Sequence, residues 1–496
     1  MHHQPNVRAR MLLALLGGVM LGLCTSSALA DTPATATPNP AQISAPVFPA
    51  LPVTRPSALQ ATLPSAALPP PSAPVAAKDM PQMTATPAGK VTKPAAPAAA
   101  TSGAAPSFSA PSFNPPPAEK TAEEPAFEPG QVLVLWVSDE SAASGLATLQ
   151  QRYQLRPRQR YTLASLGFTV AMYALPSDRE ARSLREQLRA EQPDWIVDLN
   201  ARSVPMQAPE NPAQTAAVAP RLYAQKMLGG VAGSASTKLE LPSLRLGAVD
   251  TGVDSAHAQA ATLNGSIIKI RSVLGPADKA ADTAHGSAVL QLMVGAAQGN
   301  GFAGSAPPVL VSWASAMREL NGKASTNSLI LALALDWLLE QEVSLINMSL
   351  GGQGDAILKA VVARIVAKNV LILAAVGNNP ARHAPAMYPA AYPGVWAITA
   401  VDAAGKLYSQ ASHASYTTLA APGAELWVPA NGGAYVSGTS YATALASATL
   451  AWQPPGFWAL PTTQRRAQVC AQARKLQDEA VPGCGVVQKN INLPVQ

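Results

Sequence analysis

The chain has 496 residues, 48% of them hydrophobic and 13% charged, which is apolar material for more than one globular unit. Its 35 Lys and Arg against 29 Asp and Glu give a net charge of +6, spread along the chain without a dense basic cluster or interleaved aromatics. Nucleic-acid binding is therefore not expected.

Arg8 and Arg10 precede the apolar run Met11 to Leu23, and Ala28-Leu29-Ala30 supplies the small residues a signal peptidase reads. Residues 1–30 thus read as an export signal cleaved after Ala30, and the mature protein as periplasmic or extracellular. The alternative is a lipoprotein acylated on Cys24, although Leu23 before it is larger than such a site takes. No later apolar run approaches the roughly 20 residues that span a bilayer, so no transmembrane segment is expected after cleavage. Export means oxidising conditions, so Cys470 and Cys484 read as a disulfide, with buried free thiols as the alternative.

Residues 31–125 hold 22 of the 46 prolines among Ala, Ser and Thr. Such a segment cannot bury enough apolar surface to order itself and reads as a disordered, semi-extended spacer, or else as a docking segment for a proline-reading partner. Order begins near Phe127. Gln131 to Val137 reads as a strand, and Leu146, Leu149 and Tyr153 share a helical face. Tyr161 to Leu175 reads as a hairpin broken at Ser165-Leu166-Gly167. Ser177 and Glu180 form a capping pair opening a helix, and Trp195-Ile196-Val197 is a last strand. The order β-α-β-β-α-β predicts a small α+β, ferredoxin-like domain over 126–205.

Residues 206–222 read as a linker. Over 223–455, short apolar runs at Leu244 to Val249, Val309 to Ala314, Val343 to Met348, Val370 to Ala375 and Val395 to Val401 alternate with helical patterns. Those patterns lie at Ala284 to Ala297, Ser328 to Gln341 and Ala356 to Lys368. Short strands buried on both faces and alternating with helices predict a doubly wound α/β domain with a parallel sheet. Residues 456–496 read as a C-terminal extension.

Three motifs in this domain carry chemistry. Asp250 ends a strand in Ala-Val-Asp-Thr-Gly-Val, His285 opens a helix in Ala-His-Gly-Ser-Ala-Val, and Ser440 sits among small residues in Val-Ser-Gly-Thr-Ser-Tyr-Ala before another helix. A serine hydroxyl is a weak nucleophile and needs a base in reach, and that base needs a partner fixing its tautomer. His285 suits the base and Asp250 the orienter; Asp282, three residues before His285, ends no strand. Gly252 and Gly286 after the two motifs allow close backbone approach. An esterase is disfavoured, because no Gly-x-Ser-x-Gly elbow surrounds Ser440 and the residue order differs.

At these residues, in the order Asp, His, Ser, the chain resembles the subtilisin-like serine proteases. The resemblance implies a serine endopeptidase with Asp250, His285 and Ser440 catalytic, and an oxyanion site made by the Ser440 amide and the Asn378 side chain, in Ala-Ala-Val-Gly-Asn-Asn. Asn379 sits one place too late. The four residues are 35, 93 and 62 positions apart. The family's substrate-binding segments match Ser349, Leu350, Gly351 and Gly352 and, across the cleft, Ala375, Val376 and Gly377, walls that suit an apolar side chain. The small domain resembles the family's propeptide, which implies a self-maturing zymogen with its maturation site in the linker 206–222, inhibited intramolecularly by its own N-terminal domain and acting as a monomer on polypeptide substrates; the alternative is an accessory domain that stays attached.

No cofactor is expected; family members often carry structural calcium, yet no loop shows clustered oxygen ligands to place it. His257, His383 and His413 have no metal-ligand spacing. Ala444, where the family usually has proline, with Leu290 and Ser287, depart from the family pattern without removing a catalytic atom. A second reading of the same residues is a catalytically silent envelope binding or scaffold protein on this fold.

Overall fold

The computed structural model describes residues 126–206, 223–229, 244–262, 266–294, 309–381, 384–428, 433–478 and 481–489. The expected export signal, Cys24, the Pro/Ala-rich segment, His383 and the linker beyond Met206 lie outside the described residues.

The first elements are β1 (Phe127–Trp136), α1 (Asp139–Arg152), β2 (Gln159–Leu163), β3 (Phe168–Ala174), α2 (Asp178–Glu191) and β4 (Ile196–Pro205). Both helices start on serine caps: Ser138 accepts from the Ser141 amide and Ser177 from the Glu180 amide, each worth about 1 kcal/mol. The strands lie antiparallel in the order β2-β3-β1-β4. In β1, Val132, Val134 and Trp136 pack with Ala142, Leu149, Ala181, Leu184 and Leu188 of the two helices. Leu133 and Leu135, pointing the other way, belong to a second core shared with the α/β part of the chain. Burial on both faces explains why Val132 to Trp136 is apolar without alternation.

The α/β part continues with α3 (Tyr223–Met227), β5 (Arg245–Asp250), α4 (Ser255–Thr262), β6 (Ile267–Ser272), α5 (Ala284–Val294), β7 (Leu310–Ser315) and the hairpin β8 (Arg318–Leu320) and β9 (Lys323–Asn327). It proceeds through α6 (Ser328–Glu340), β10 (Leu345–Met348), β11 (Leu350–Gly352), α7 (Ala356–Ala367), β12 (Leu371–Ala375), β13 (Trp396–Val401) and β14 (Thr417–Pro422). It ends with β15 (Leu426–Val428), β16 (Ala434–Val436), α8 (Thr439–Leu450), α9 (Pro455–Ala459) and α10 (Thr462–Gln472).

A parallel sheet in the order β14-β13-β12-β10-β5-β7-β6 forms its centre. Side chains alternating along each strand separate two cores. Leu246, Leu345 and Leu371 pack with α5 and α8, while Ile346, Met348 and Ile372 pack with α6 and α7. This is the doubly wound α/β arrangement, and the predicted apolar runs coincide with its inner strands.

The edges differ from the sequence expectation. Strand β6 alternates Ile with Lys and Arg and is largely exposed, and β14 begins on threonines and ends on proline, so neither carries a continuous apolar run. Among the described residues beyond 455, Phe457, Val469, Ala473, Val486 and Val487 are buried beside α8. Cys470 and Cys484 are disulfide-bonded, with Cα atoms 5.3 Å apart. The tail continues the sheet beyond β14, Ala420 donating to Gly485 O at 2.9 Å and Val487 to Ala420 O at 3.1 Å. Buried Arg465 fastens the same stretch by donating to the Leu460, Asn369 and Trp458 carbonyls.

Strand β4 is the other difference. Only Ile196 and Val197 signal a strand locally, yet it runs ten residues, past β1 and on between β9 and β11. Arg202 and Ser203 pair with Asn327 and Thr326, while Ser203, Val204 and Pro205 pair with Gly352, Gly351 and Leu350. These partners are far away in sequence, which is why no local pattern reveals the strand's length.

Candidate active site

Functional groups on an open parallel sheet gather at the carboxyl ends of its strands. Asp250 is the last residue of central strand β5 and is fully buried. Its Oδ1 accepts from the Thr251 amide at 2.7 Å and lies 2.7 Å from His285 Nδ1. With the carboxylate accepting, the hydrogen sits on Nδ1 and the Nε2 lone pair is available. Buried Nε2 has no partner among the described residues.

The contact depends on a close approach of α5 to the loop after β5. A Cβ on Gly286 would lie 2.6 Å from Gly252 O and 2.7 Å from Thr251 Oγ1, so only glycine fits there; at Gly252 a Cβ would meet nothing nearer than 3.4 Å. The Gly286 amide donates to Thr251 Oγ1 at 2.8 Å, and Trp313 Nε1 holds Thr251 O at 2.9 Å. Asp282 receives the Ala284 amide at 2.7 Å at the start of α5, a capping position apart from the Asp250–His285 pair. Leu290 is accommodated in the core behind α5, and Ser287 accepts from the Asp254 amide at 3.0 Å.

Ser440 is buried in the first turn of α8, which starts at Thr439 after Gly438 at φ 150° and runs unbroken through Ala444. Its Oγ donates to Ser349 O at 2.9 Å and its amide to Met206 O at 3.1 Å. Ser349 Oγ donates to Ser440 O at 2.9 Å and is itself held by Asn347 Nδ2 at 3.0 Å. Asn378 lies beside this turn, its Oδ1 accepting from the Thr439 amide at 3.0 Å, and its buried Nδ2 has no partner among the described residues. A fixed amide with a spare N–H beside the Ser440 amide can stabilise a developing oxyanion. Asn379 is exposed and closes a turn instead, accepting from Ala381.

The end of β4 occupies the cleft. Met206 donates to Ser349 O and accepts from the Ser440 amide, both at 3.1 Å, so its carbonyl carbon is presented to the buried serine. Its thioether lies over Gly351 and Gly377: Sδ is 3.4 Å and 3.7 Å from where Cβ atoms on those glycines would sit. Met387 shares the space, with Cε 3.1 Å from the Gly351 position and Cγ 2.9 Å from the Gly377 position. Neither methionine carries a sequence signal for this role. Gly352 supports the strand, since any Cβ there would strike Arg202 O. Leu350, Ala375 and Val376 are buried, and Leu350 and Val376 pack in the core with α6 and α7.

Two charged clusters join the β1–β4 layer to the α/β part. Asp198 of β4 accepts from the Ala356 amide at 2.8 Å and pairs with Arg189 at 2.8 Å. Asp355 caps the same helix, α7, accepting from the Ile357 and Leu358 amides and from Ser328 Oγ. Burial pushes the Asp355 carboxyl up to about 6, aided by the neighbouring Asp198 charge and opposed by those hydrogen bonds. In the second cluster Glu128 meets Arg202 and Arg318. Burial alone would raise its carboxyl, but the two guanidiniums outweigh that and hold it below the usual range. Among the described residues, no group of three His, Cys, Asp or Glu side chains is placed to hold a metal, and no helix is long and apolar enough to cross a membrane.

The sheet, the Asp250–His285 pair and the serine in the first turn of α8 are those of a serine endopeptidase of the subtilisin kind. Residues 243–482 match the model of the Subtilase family, Peptidase_S8. Subtilisin DY of Bacillus licheniformis is 26% identical over 250 residues, covering 49% of this chain and 89% of that protein. Subtilisin of Bacillus pumilus is 29% identical over 206 residues, covering 40% of this chain and 73% of that one. Among solved structures, fervidolysin from Fervidobacterium pennivorans, a keratinolytic enzyme related to subtilisin, matches with a TM-score of 0.54 at 18% identity, over 73% of this chain and 60% of that one, a likeness of fold.

Proposed function

We propose that the chain is an exported serine endopeptidase made as a self-maturing zymogen, in which residues 126–206 act first as an intramolecular inhibitor and Met206–Gln207 is the bond cleaved. The observation that carries this reading is the Met206 carbonyl hydrogen-bonded to the Ser440 amide, at the end of a strand laid between β9 and β11 as a substrate would lie.

In the reaction, Ser440 Oγ turns from Ser349 O to His285 Nε2, gives up its proton there and attacks the Met206 carbonyl carbon. The oxyanion is held by the Ser440 amide and Asn378 Nδ2, and Asp250 stabilises the imidazolium and its orientation. Collapse breaks the C–N bond, His285 returns the proton to the Gln207 amine, and an acyl-enzyme remains. Water, deprotonated by His285, attacks the ester and regenerates Ser440. The same cycle then applies to other polypeptides, with Met387, Gly351 and Gly377 around the side chain before the cleaved bond. The leader composition of residues 1–30 supports export.

The test is a fluorophosphonate probe applied to the mature protein and to Ser440→Ala. Labelling at Ser440 with hydrolysis of an unfolded protein substrate is expected in the first and neither in the second. A folded protein, freed of residues 126–206, that neither labels nor hydrolyses would leave the silent binding protein as the better account.

A further inference from the structure

We infer that Arg318 and Asn327 form a carboxylate-binding subsite that selects an acidic side chain at the fifth residue before the cleaved bond. The inference rests on the protease reading above and on Met206 marking the residue before that bond. Counting back along β4, Pro205, Val204 and Ser203 follow, and Arg202 is the fifth, paired in register with Asn327 of β9.

At this place the structure holds a carboxylate, but not one from β4. Glu128 of β1, 6% exposed, accepts from Arg202 Nε at 3.1 Å and Nη2 at 3.2 Å, from Arg318 Nη2, and from Asn327 Nδ2 at 3.4 Å. A buried carboxylate is tolerated only with such partners. Two of the donors belong to the part of the chain that remains after maturation. Arg318 is anchored independently of the leaving layer: its Nη1 donates to Asp278 Oδ1 at 3.2 Å, and Asp278 Oδ2 is fixed by the Gly275 amide at 2.9 Å. Its buried Nε has no partner among the described residues, so the guanidinium keeps an unspent donor.

When residues 126–206 leave, Glu128 and Arg202 leave together. Arg318 then keeps one carboxylate, Asp278, and loses the other. A substrate strand in place of β4 sets its fifth side chain where that of Arg202 lay, within reach of the position Glu128 filled. A glutamate there supplies the missing charge. An arginine there faces Arg318 without the carboxylate that separated the two in the precursor. The Arg318 side chain is 18% exposed even with residues 126–206 in place, so the discrimination is only partly desolvated and a few-fold effect weakened by salt is expected.

The experiment uses the mature protein, with Ser440 occupancy measured by fluorophosphonate, and three quenched peptides that end in Ser-Val-Pro-Met before the cleaved bond and carry Glu, Gln or Arg at the fifth position. The kcat/KM for Glu is expected to exceed that for Gln by about three- to tenfold at low salt, and that for Arg by more. The preference should shrink in high salt, disappear in Arg318→Gln and return in part in Arg318→Lys. Equal rates for the three peptides in the parent, or a preference that persists in Arg318→Gln, would overturn the subsite while leaving the protease intact. No cleavage of any peptide, with Ser440 unlabelled, would overturn the protease reading and the subsite with it. The parent comparison and its salt dependence decide the matter even where Arg318→Gln does not fold.

Discussion

At the residue scale, the roles assigned above separate into groups that act on charge and groups that set space. Asn378 Nδ2 is buried without a partner among the described residues while its Oδ1 is tied to the Thr439 amide, so the side chain is held in place to donate. Asn378→Ala is expected to lower kcat by about 10² to 10³ with little change in KM, measured on a peptide substrate. An unchanged kcat would remove Asn378 from the oxyanion site. Met387 acts on space. Replacing it with glycine should deepen the pocket over Gly351 and Gly377, and kcat/KM for a Phe-Xaa bond relative to an Ala-Xaa bond should rise about tenfold. An unaltered ratio would place the pocket floor elsewhere. The sequence marked the first kind of residue and not the second. Asp250, His285, Asn378 and Ser440 each stand in a motif with its own constraint, such as Gly286 against Gly252 O. Met206 and Met387 are ordinary apolar residues whose role comes from where distant segments bring them.

At the scale of elements, strands β5, β10, β12 and β13 were legible because burial on both faces demands continuous apolar runs. Strand β6 was not, because an exposed edge places no such demand, and the β8–β9 hairpin was not, because its buried residues, Ser325, Thr326 and Asn327, are polar. Strand β4 shows the limit most plainly, since its last five residues, Ala201 to Pro205, are held by pairing with β9, β11 and the bulged start of β1 rather than by their own pattern. Helix α7 carries a testable electrostatic consequence. The carboxyl of its cap, Asp355, titrates near 6 in the folded chain against 3.8 as its ordinary value. A raised folded value means the stability it contributes is fully present below the ordinary value and is lost as pH rises through 6. In an inactive Ser440→Ala background, the stability difference between pH 4 and pH 7 should therefore contract by about 2 kcal/mol on Asp355→Asn, by denaturant titration. The same difference in both proteins would mean that Asp355 is ionised alike in the folded and unfolded chain.

At the scale of the molecule, the β1–β4 layer and the α/β part share a core and a sheet: Leu133 and Leu135 pack among the residues of α6 and α7, and β4 is hydrogen-bonded to β9 and β11. A strand held this way by two partners sets its terminal carbonyl against the serine. Under the proposed function, that one geometry accounts for both inhibition before the bond breaks and self-cleavage as it breaks. The direct measurement is the N-terminal sequence and intact mass of the purified protein beside its Ser440→Ala variant. A mature chain beginning at Gln207, formed by the parent and absent from the variant, is the predicted result. A Ser440-dependent cut at any other bond would contradict the placement of Met206, and a chain that stays whole while folded and accessible to the fluorophosphonate probe would contradict self-maturation itself.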